Sequence, residues 1–286
     1  MTPVEPPVVS PATLAEAYEL AAGDGYRPLA GGTDLLVQIT GELGDAPKRV
    51  LDLWRLDELR GIGVRDGMLE LGALTTYTEI RRSALCLEHA PALVEAAATI
   101  GAAQIQNRGT IGGNAMNASP AGDTLPVLLA LDAELVAGSA RAERTIPAAA
   151  FWPAYRRTAV RPDELLVRVR IPVVSGREQR FRKVGTRRAQ AISKVVLALT
   201  WRPDPGSSAW SDVRLALGSV APTPIRSSAV EAVLEGASPD RQTTERAVAA
   251  LTAELQPIDD VRSTAAYRRE VAGRVLRRLL RDAGDW

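Results

Sequence analysis

Polar and apolar positions near the start of the chain predict a small unit in which strands and helices alternate. A capping box formed by Thr13 and Glu16 opens a helix over 15–22, and apolar runs at 27–29 and 49–53 are typical of short strands. A second short helix is expected over 35–39. The pattern indicates a small βαβ-like unit.

The middle of the chain mixes hairpin and helix patterns. Asp66-Gly67 separates two apolar runs and predicts a type I′ hairpin, because both of its central residues need positive φ. Helices are expected at 91–99, which is rich in alanine, and at 123–131. The alternation over 165–171 predicts a half-exposed strand, with Leu166 on the polar side.

The last third of the chain has strand patterns followed by helix patterns, which favours an α+β unit with a sheet covered on one face. We expect residues 172–179 to form the joint before it. We therefore predict an α+β protein with one domain over 1–175, divided into subdomains at about 1–56 and 57–175, and a second domain over 176–286.

Composition limits the kinds of function. The 286 residues are 46% hydrophobic and 24% charged with a net charge of +1, and no basic run is interleaved with aromatics, so no nucleic-acid partner is expected. No secretory pattern or long apolar stretch occurs, which predicts a cytoplasmic protein without a membrane span. Cys86 and His89 are the only residues of their kinds, too few for a zinc site or an iron–sulfur cluster held by this chain alone.

Two glycine-rich loops carry the candidate chemistry: Ala30-Gly31-Gly32-Thr33-Asp34 and Thr110-Ile111-Gly112-Gly113-Asn114. Glycines let backbone N–H groups approach an anion closely, and a following helix N-terminus adds its dipole. We expect bare amides from the glycines of both loops and donors from the Thr and Asn side chains, while the anionic Asp34 caps the next helix or braces the loop. Neither a Rossmann nor a P-loop string occurs. The residues therefore indicate an anion or nucleotide site, with two tight turns as the alternative.

Beyond the loops, several segments in the same order resemble the FAD-binding medium subunit of molybdenum hydroxylases, the family of xanthine dehydrogenases and aerobic carbon monoxide dehydrogenases. The first loop is closer to the xanthine dehydrogenase pattern. The segments that carry the resemblance are 29–36, 108–114 with 118–123, 181–188 with 192–195, 221–226 and 262–268.

The resemblance implies a PCMH-type FAD-binding domain of two small α/β subdomains, followed by an α+β C-terminal flavoprotein domain. Extended FAD would lie between the subdomains with its diphosphate between the loops. The residues implied to contact it are Leu29, Ala30, Gly31, Gly32, Thr33, Asp34, Leu35, Ile100, Thr110, Ile111, Gly112, Gly113, Asn114, Asp123, Leu166 and Lys183. No catalytic residue and no metal ligand is implied on this chain.

Four of these residues are implied to lie near the flavin half of the cofactor. Asp123 would accept hydrogen bonds from the ribityl hydroxyls, and Ile100 and Leu166 would pack on the ring. Lys183 would place positive charge near the flavin N1–C2=O edge. Plain core packing is the alternative for Ile100 and Leu166, and a solvated strand position is the alternative for Lys183.

The resemblance also implies a heterotrimer in which this chain transfers electrons. A large partner would hold the molybdenum cofactor and a small partner the [2Fe-2S] clusters. FAD would pass electrons to an acceptor such as NAD, oxygen or quinone. The alternatives are a self-contained FAD-dependent oxidase or reductase, which would need its own catalytic pocket, and a scaffold protein that has kept only the fold.

Overall fold

The structure is a computed structural model that describes residues 6–23, 25–41, 45–187 and 190–286. Asp24, which follows the helix predicted over 15–22, and Arg188, in the segment 181–188 that carries the resemblance, lie outside the described residues.

The first subdomain is built on a three-stranded parallel sheet in the order β1-β3-β2. Its elements are β1 (Val8–Val9), α1 (Leu14–Ala21), β2 (Tyr26–Leu29), α2 (Leu35–Thr40) and β3 (Arg49–Asp52). The carboxyl ends of parallel strands lie at one edge of a sheet, which places the loop after β2 beside the segment after β3. The first glycine loop therefore opens at this edge.

The predicted capping box at α1 is only half formed. Thr13 Oγ1 accepts a hydrogen bond from the Glu16 N–H at 3.2 Å, as expected. The Glu16 carboxylate, however, accepts from the Ala12 N–H at 2.7 Å instead of from the N–H of Thr13.

The second subdomain contains a five-stranded antiparallel sheet in the order β4-β5-β8-β6-β7, together with a 3₁₀ helix at Asp57–Leu59 and seven short α-helices. Its elements are β4 (Ile62–Arg65), β5 (Met68–Gly72), α3 (Tyr77–Arg82), α4 (Ala84–His89), α5 (Pro91–Ala98), α6 (Ala103–Gln106), α7 (Ile111–Asn117), α8 (Leu125–Ala130), β6 (Glu134–Gly138), β7 (Glu143–Pro147), α9 (Ala148–Phe151) and β8 (Leu165–Pro172). The predicted hairpin joins β4 to β5, with Asp66 at φ 50° and Gly67 at φ 72°.

A bulge in β8 changes the face on which its residues lie. The register against β6 shifts between Val136 and Ala137, so that Val167 is an extra residue in the pairing. Leu166 therefore joins Val169 in the core of the second subdomain, while Val167 packs into the core of the first. The simple alternation predicted from the sequence, with Leu166 on the polar side, was wrong at this point.

The C-terminal part is a four-stranded antiparallel sheet in the order β12-β11-β10-β9, followed by three helices. Its elements are β9 (Glu178–Gly185), β10 (Ser193–Pro203), β11 (Trp210–Gly218), β12 (Ile225–Arg226), α10 (Ser228–Leu234), α11 (Arg241–Glu254) and α12 (Ala265–Gly284). The order of strands followed by helices agrees with the predicted α+β unit.

Both faces of this last sheet are covered. The helices pack on one face, against residues such as Leu197 and Leu215. The other face, which carries Phe181 and Val196, is part of the core of the second subdomain and packs against α5 and α8. The prediction of a sheet covered on one face holds within the C-terminal part alone. In the described part of the chain, no helix combines the length and apolar composition needed to cross a membrane.

Candidate functional site

A cavity of about 350 Å³ lies between the first two subdomains, where the two glycine loops face each other. Its volume is within the range of small-molecule and cofactor sites. Most of the residues predicted to contact a cofactor line this cavity: Leu29, Ala30, Gly31, Gly32, Thr33, Asp34, Leu35, Ile100, Thr110, Gly112, Gly113, Asn114 and Leu166. Ile111, Asp123 and Lys183 do not.

The first loop has the free backbone amides that an anion-binding turn needs. Among the described residues, the N–H groups of residues 31–35 donate to no other group of the chain. Gly32 has φ 79°, a conformation that L side chains rarely adopt. Consecutive unoccupied amides in such a turn form a concave donor surface for an anion.

Gly31 is the point at which the two loops meet. A Cβ atom built on it would lie 1.7 Å from the Arg108 carbonyl oxygen, just ahead of the second loop. No side chain fits in that space, so glycine is needed here because of backbone contact between the loops.

Asp34 does not have the capping role expected of it. It precedes α2 with φ −116° and ψ −50° and makes no side-chain cap hydrogen bond. An N-cap residue normally has extended backbone, which aims its side chain at the free amides of the first turn. In the helical conformation of Asp34 the carboxylate instead accepts a hydrogen bond from the Gln38 side chain.

The second loop differs from its prediction, because its amides are already occupied. The loop is the capped first turn of α7, where Thr110 Oγ1 accepts from the Gly113 N–H at 3.0 Å. The Gly112 N–H donates to the Ala73 carbonyl at 2.9 Å, and the Asn114 N–H donates to the Thr110 carbonyl at 3.0 Å. The expected bare amides at Gly112 and Gly113 were therefore wrong.

Close packing explains the glycine at the centre of this loop. A Cβ atom on Gly112 would lie 2.6 Å from the Ala73 carbonyl oxygen, so glycine lets α7 pack tightly on the segment after β5. Ile111 belongs to the same packing. Its side chain is fully buried in the core and its N–H donates to the Thr75 carbonyl at 3.0 Å. Neither its side chain nor its amide is available to a ligand, which corrects its assignment.

The second loop presents side-chain donors to the cavity instead. The Asn114 Oδ1 atom accepts from the Thr124 hydroxyl. The Nδ2 group of Asn114 has no partner among the described residues and remains a donor in the cavity wall. The Thr110 hydroxyl, which accepts from Gly113, keeps its own proton to donate.

Asp123 and Lys183 form a buried ion pair rather than two separate contacts. Lys183 Nζ lies 2.5 Å from Asp123 Oδ2 and 3.1 Å from the Thr99 carbonyl oxygen. The side chains are 7% and 9% exposed, so both are shielded from water. Burial raises the pKa of Asp123, and the Lys183 cation opposes that rise.

The second oxygen of this carboxylate is unsatisfied. Asp123 Oδ1 is buried and accepts no hydrogen bond within the described part of the chain, since the nearby Ser193 hydroxyl donates to the Ala121 carbonyl at 3.2 Å instead. A buried acceptor without a donor is costly, which makes this atom a candidate acceptor for a ligand hydroxyl even though Asp123 is not among the residues that line the cavity.

Several residues that line the cavity belong to no sequence motif that would predict a binding role. Tyr77 is 3% exposed and lines the cavity at the start of α3. Burial, with the nearby charge of Asp123, raises the pKa of its phenol, so the group stays protonated. Other lining residues include Met116, Asn117 and Glu164.

Glu164 is an acidic side chain in the cavity wall whose charge is compensated. Its carboxylate accepts hydrogen bonds from both Arg144 Nε and the Arg161 N–H at 2.7 Å. The hydrogen bonds from Arg144 lower the pKa of Glu164. The side chain is 5% exposed. The ion pair between Glu164 and Arg144 thus links the start of β8 to β7. It also neutralises the negative charge of Glu164 in the cavity wall.

We expect Glu164 to contribute to acid stability. A carboxyl group whose pKa is lower in the folded chain stabilises the fold above its ordinary pKa of 4.5, and this contribution is lost as the pH falls through the folded value. Glu164→Gln should therefore lower stability at neutral pH and flatten its decline below pH 4.5. Urea denaturation across the acid range measures this. A decline as steep as that of the unaltered chain would assign the acid sensitivity to other groups.

No three His, Cys, Asp or Glu side chains come together as a potential metal site within the described ranges.

Two family models together match nearly the whole chain. Residues 3–174 match the model of the FAD binding domain in molybdopterin dehydrogenase. Residues 180–283 match the model of the CO dehydrogenase flavoprotein C-terminal domain.

Individual relatives match over almost their full length. The xanthine dehydrogenase FAD-binding subunit of Escherichia coli O157:H7 is 32% identical over 95% of this chain and 94% of its own. The glyceraldehyde dehydrogenase medium chain of Sulfolobus acidocaldarius is also 32% identical, over 95% of each chain. In a solved carbon monoxide dehydrogenase from Hydrogenophaga pseudoflava, one chain superposes with a TM-score of 0.92 at 30% identity, covering 97% of this chain and 96% of that one.

Proposed function

Because the chain belongs to the family of FAD-binding medium subunits of molybdenum hydroxylases, we propose that it relays electrons from the [2Fe-2S] clusters of a partner subunit to an external acceptor. FAD, held between the two glycine loops, supplies the redox chemistry, since a flavin can take up electrons singly and release them as a pair. The residues of this chain bind the cofactor, orient it and shield it.

The observation that carries this proposal is the row of unoccupied amides at residues 31–35, facing Thr110 and Asn114 across the cavity. A diphosphate needs several donors on both sides, and this arrangement supplies backbone donors on one side and side-chain donors on the other. These donors suit the diphosphate of FAD. The backbone donors come mostly from the first loop and the side-chain donors from the second.

The remaining predicted residues suit the flavin half of the cofactor. Ile100 and Leu166 offer apolar surface in the cavity wall. The unsatisfied Asp123 Oδ1 suits a ribityl hydroxyl, which would donate to it. The Lys183 ammonium is fixed by Asp123 and the Thr99 carbonyl in a site shielded from water. There its positive charge would stabilise negative charge on a flavin ring bound nearby.

The partners follow from the same proposal. We expect a large subunit with the molybdenum cofactor and a small subunit with [2Fe-2S] clusters, because the single Cys86 cannot hold such a cluster. The relatives are named as subunits or medium chains. The acceptor, whether NAD, oxygen or quinone, and the cytoplasmic location stay predictions.

Purification through a tag on this chain, from its own host, tests the proposal. We expect two further polypeptides, bound molybdenum and iron, and FAD bleached by a substrate of the complex. The isolated chain should bind FAD yet turn over no substrate. Turnover by the isolated chain would instead favour a self-contained oxidase or reductase. A chain that takes up no FAD would overturn the proposal.

A further inference from the structure

Two guanidinium groups lie over the indole ring of Trp54. The Arg108 Cζ atom is 3.6 Å from the ring centroid and the Arg60 Cζ atom is 4.5 Å from it. Both distances are within the range of favourable cation–π contact. Arg60 also donates from Nη2 to the Trp54 carbonyl at 2.6 Å.

This cluster of Trp54, Arg60 and Arg108 lies where the two loops meet. Trp54 follows β3 at the edge of the parallel sheet where the first loop opens. The Arg108 carbonyl fits against Gly31, and the Arg108 Nε atom is 3.5 Å from the Gly31 carbonyl oxygen. The Arg108 side chain therefore lies beside Gly31, the first residue of the row of unoccupied amides, although it is not part of the cavity wall.

The two arginines differ in their charge environment. Arg60 has a carboxylate within reach, with its Nε atom 3.9 Å from Asp57 Oδ1. Arg108 is exposed and pairs with no carboxylate among the described residues. An arginine stacked on an aromatic ring but without an acid partner is a cation fixed in position and not neutralised.

The cavity itself supplies little positive charge for a diphosphate. Of the Asp, Glu, Lys and Arg side chains in its wall, Asp34 is acidic, Glu164 is neutralised by Arg144, and Arg27 is basic and exposed on β2. The amides of residues 31–35 are neutral dipoles, and those of the second loop are already occupied. A fixed cation beside the first loop would complement a dianion there.

We propose that Arg108, positioned by Trp54, is the fixed positive charge that compensates the FAD diphosphate. This inference rests on the proposed binding of FAD between the loops. Stacking on Trp54 fixes the Arg108 side chain before FAD binds. Arg108 therefore loses less conformational entropy when FAD binds.

Titration of the apo form of the full chain with FAD, at low and at high salt, tests this role. Arg108→Gln should weaken FAD binding about tenfold at low salt, and the difference should shrink as salt screens the charge. Arg108→Lys keeps the charge but stacks less well on Trp54, so it should recover most of the affinity that Arg108→Gln loses at low salt. Trp54→Leu should weaken binding by a smaller factor, because the charge remains but is no longer held in place. Arg49→Gln is the matched control, since it removes an exposed guanidinium that stacks on another ring, that of Tyr26, at the opposite end of β3, and it should leave FAD affinity unchanged.

An unchanged FAD affinity in Arg108→Gln would overturn the proposal. So would a loss that is equal at both salt concentrations and not restored by lysine, because that result means a structural role for the side chain. In both of these outcomes the unaltered chain still binds FAD, so the proposed function stands. Failure of the unaltered chain to bind FAD would contradict the proposed function as well.

Discussion

Gly31→Ala is expected to abolish retention of FAD. The new Cβ atom would lie 1.7 Å from the Arg108 carbonyl oxygen and 2.5 Å from its carbon. Both of these atoms are backbone, so the loops must separate to relieve the clash. A shift of about 1 Å misaligns the donors on both sides of the diphosphate and should weaken FAD binding by about a hundredfold or more.

The measurement is FAD content after gel filtration, followed by titration of the apo chain with FAD. Gly63→Ala on β4 is the matched control, because nothing lies within 4 Å of a Cβ atom there. It should bind FAD like the unaltered chain. If Gly31→Ala kept the affinity of the unaltered chain, the two loops would not form one binding site.

Lys183→Met should destabilise the fold by about 3–5 kcal/mol at neutral pH. It leaves the Asp123 carboxylate, 7% exposed, without its partner. An unpaired buried charge costs this much because neither water nor a cation compensates it. The pKa of Asp123 then rises further, so the defect is largest at neutral pH. It shrinks as the pH falls through that raised pKa and the carboxyl group becomes neutral.

Chemical denaturation of the apo chain across pH measures this effect. The double variant Lys183→Met with Asp123→Asn removes the charge and should recover part of the loss. Arg278→Met is the control, because it breaks an ion pair with Asp282 whose side chains are 65% and 50% exposed, and it should cost below about 1 kcal/mol. A loss no larger than that of Arg278→Met would show that the Asp123–Lys183 pair does not stabilise the fold.

Local sequence was enough to predict the first loop and most of the elements. Gly32 is one of the residues whose backbone conformation only glycine adopts easily, and Asp66-Gly67 encodes its own turn. The strands and helices of the C-terminal part follow periodicities that a short window contains. Such features depend on neighbours in the chain, so they can be read before the fold is known.

The second loop shows why similar glycine patterns can have different roles. Its Gly-Gly pair looks equivalent to the first, but Gly112 serves the contact of α7 with Ala73 and Gly113 donates to the capping Thr110. Whether an amide is free depends on which backbone lies opposite it. For Gly112 the acceptor is the Ala73 carbonyl, some forty residues away in the sequence, and no local pattern predicts that contact.

The remaining differences also come from contacts between distant segments. The bulge at Val167 arises from pairing with β6 and turns Leu166 toward the core. The pair of Asp123 and Lys183 joins the segment before α8 to β9, and the stacking of Arg108 on Trp54 joins two subdomains. The sequence contains each of these residues, but it does not predict which distant residue each of them contacts.

Hydrogen exchange of the full chain with and without FAD shows whether the diphosphate lies at the first loop, because the two loops differ in which amides are free. The amides at residues 31–35 have no acceptor among the described residues, so FAD should slow their exchange strongly. The amides at 111–114 already donate within the chain and should change much less. Strong protection at residues 31–35 is the predicted result. FAD binding that left the exchange of these amides unchanged would contradict the placement of the diphosphate between the loops.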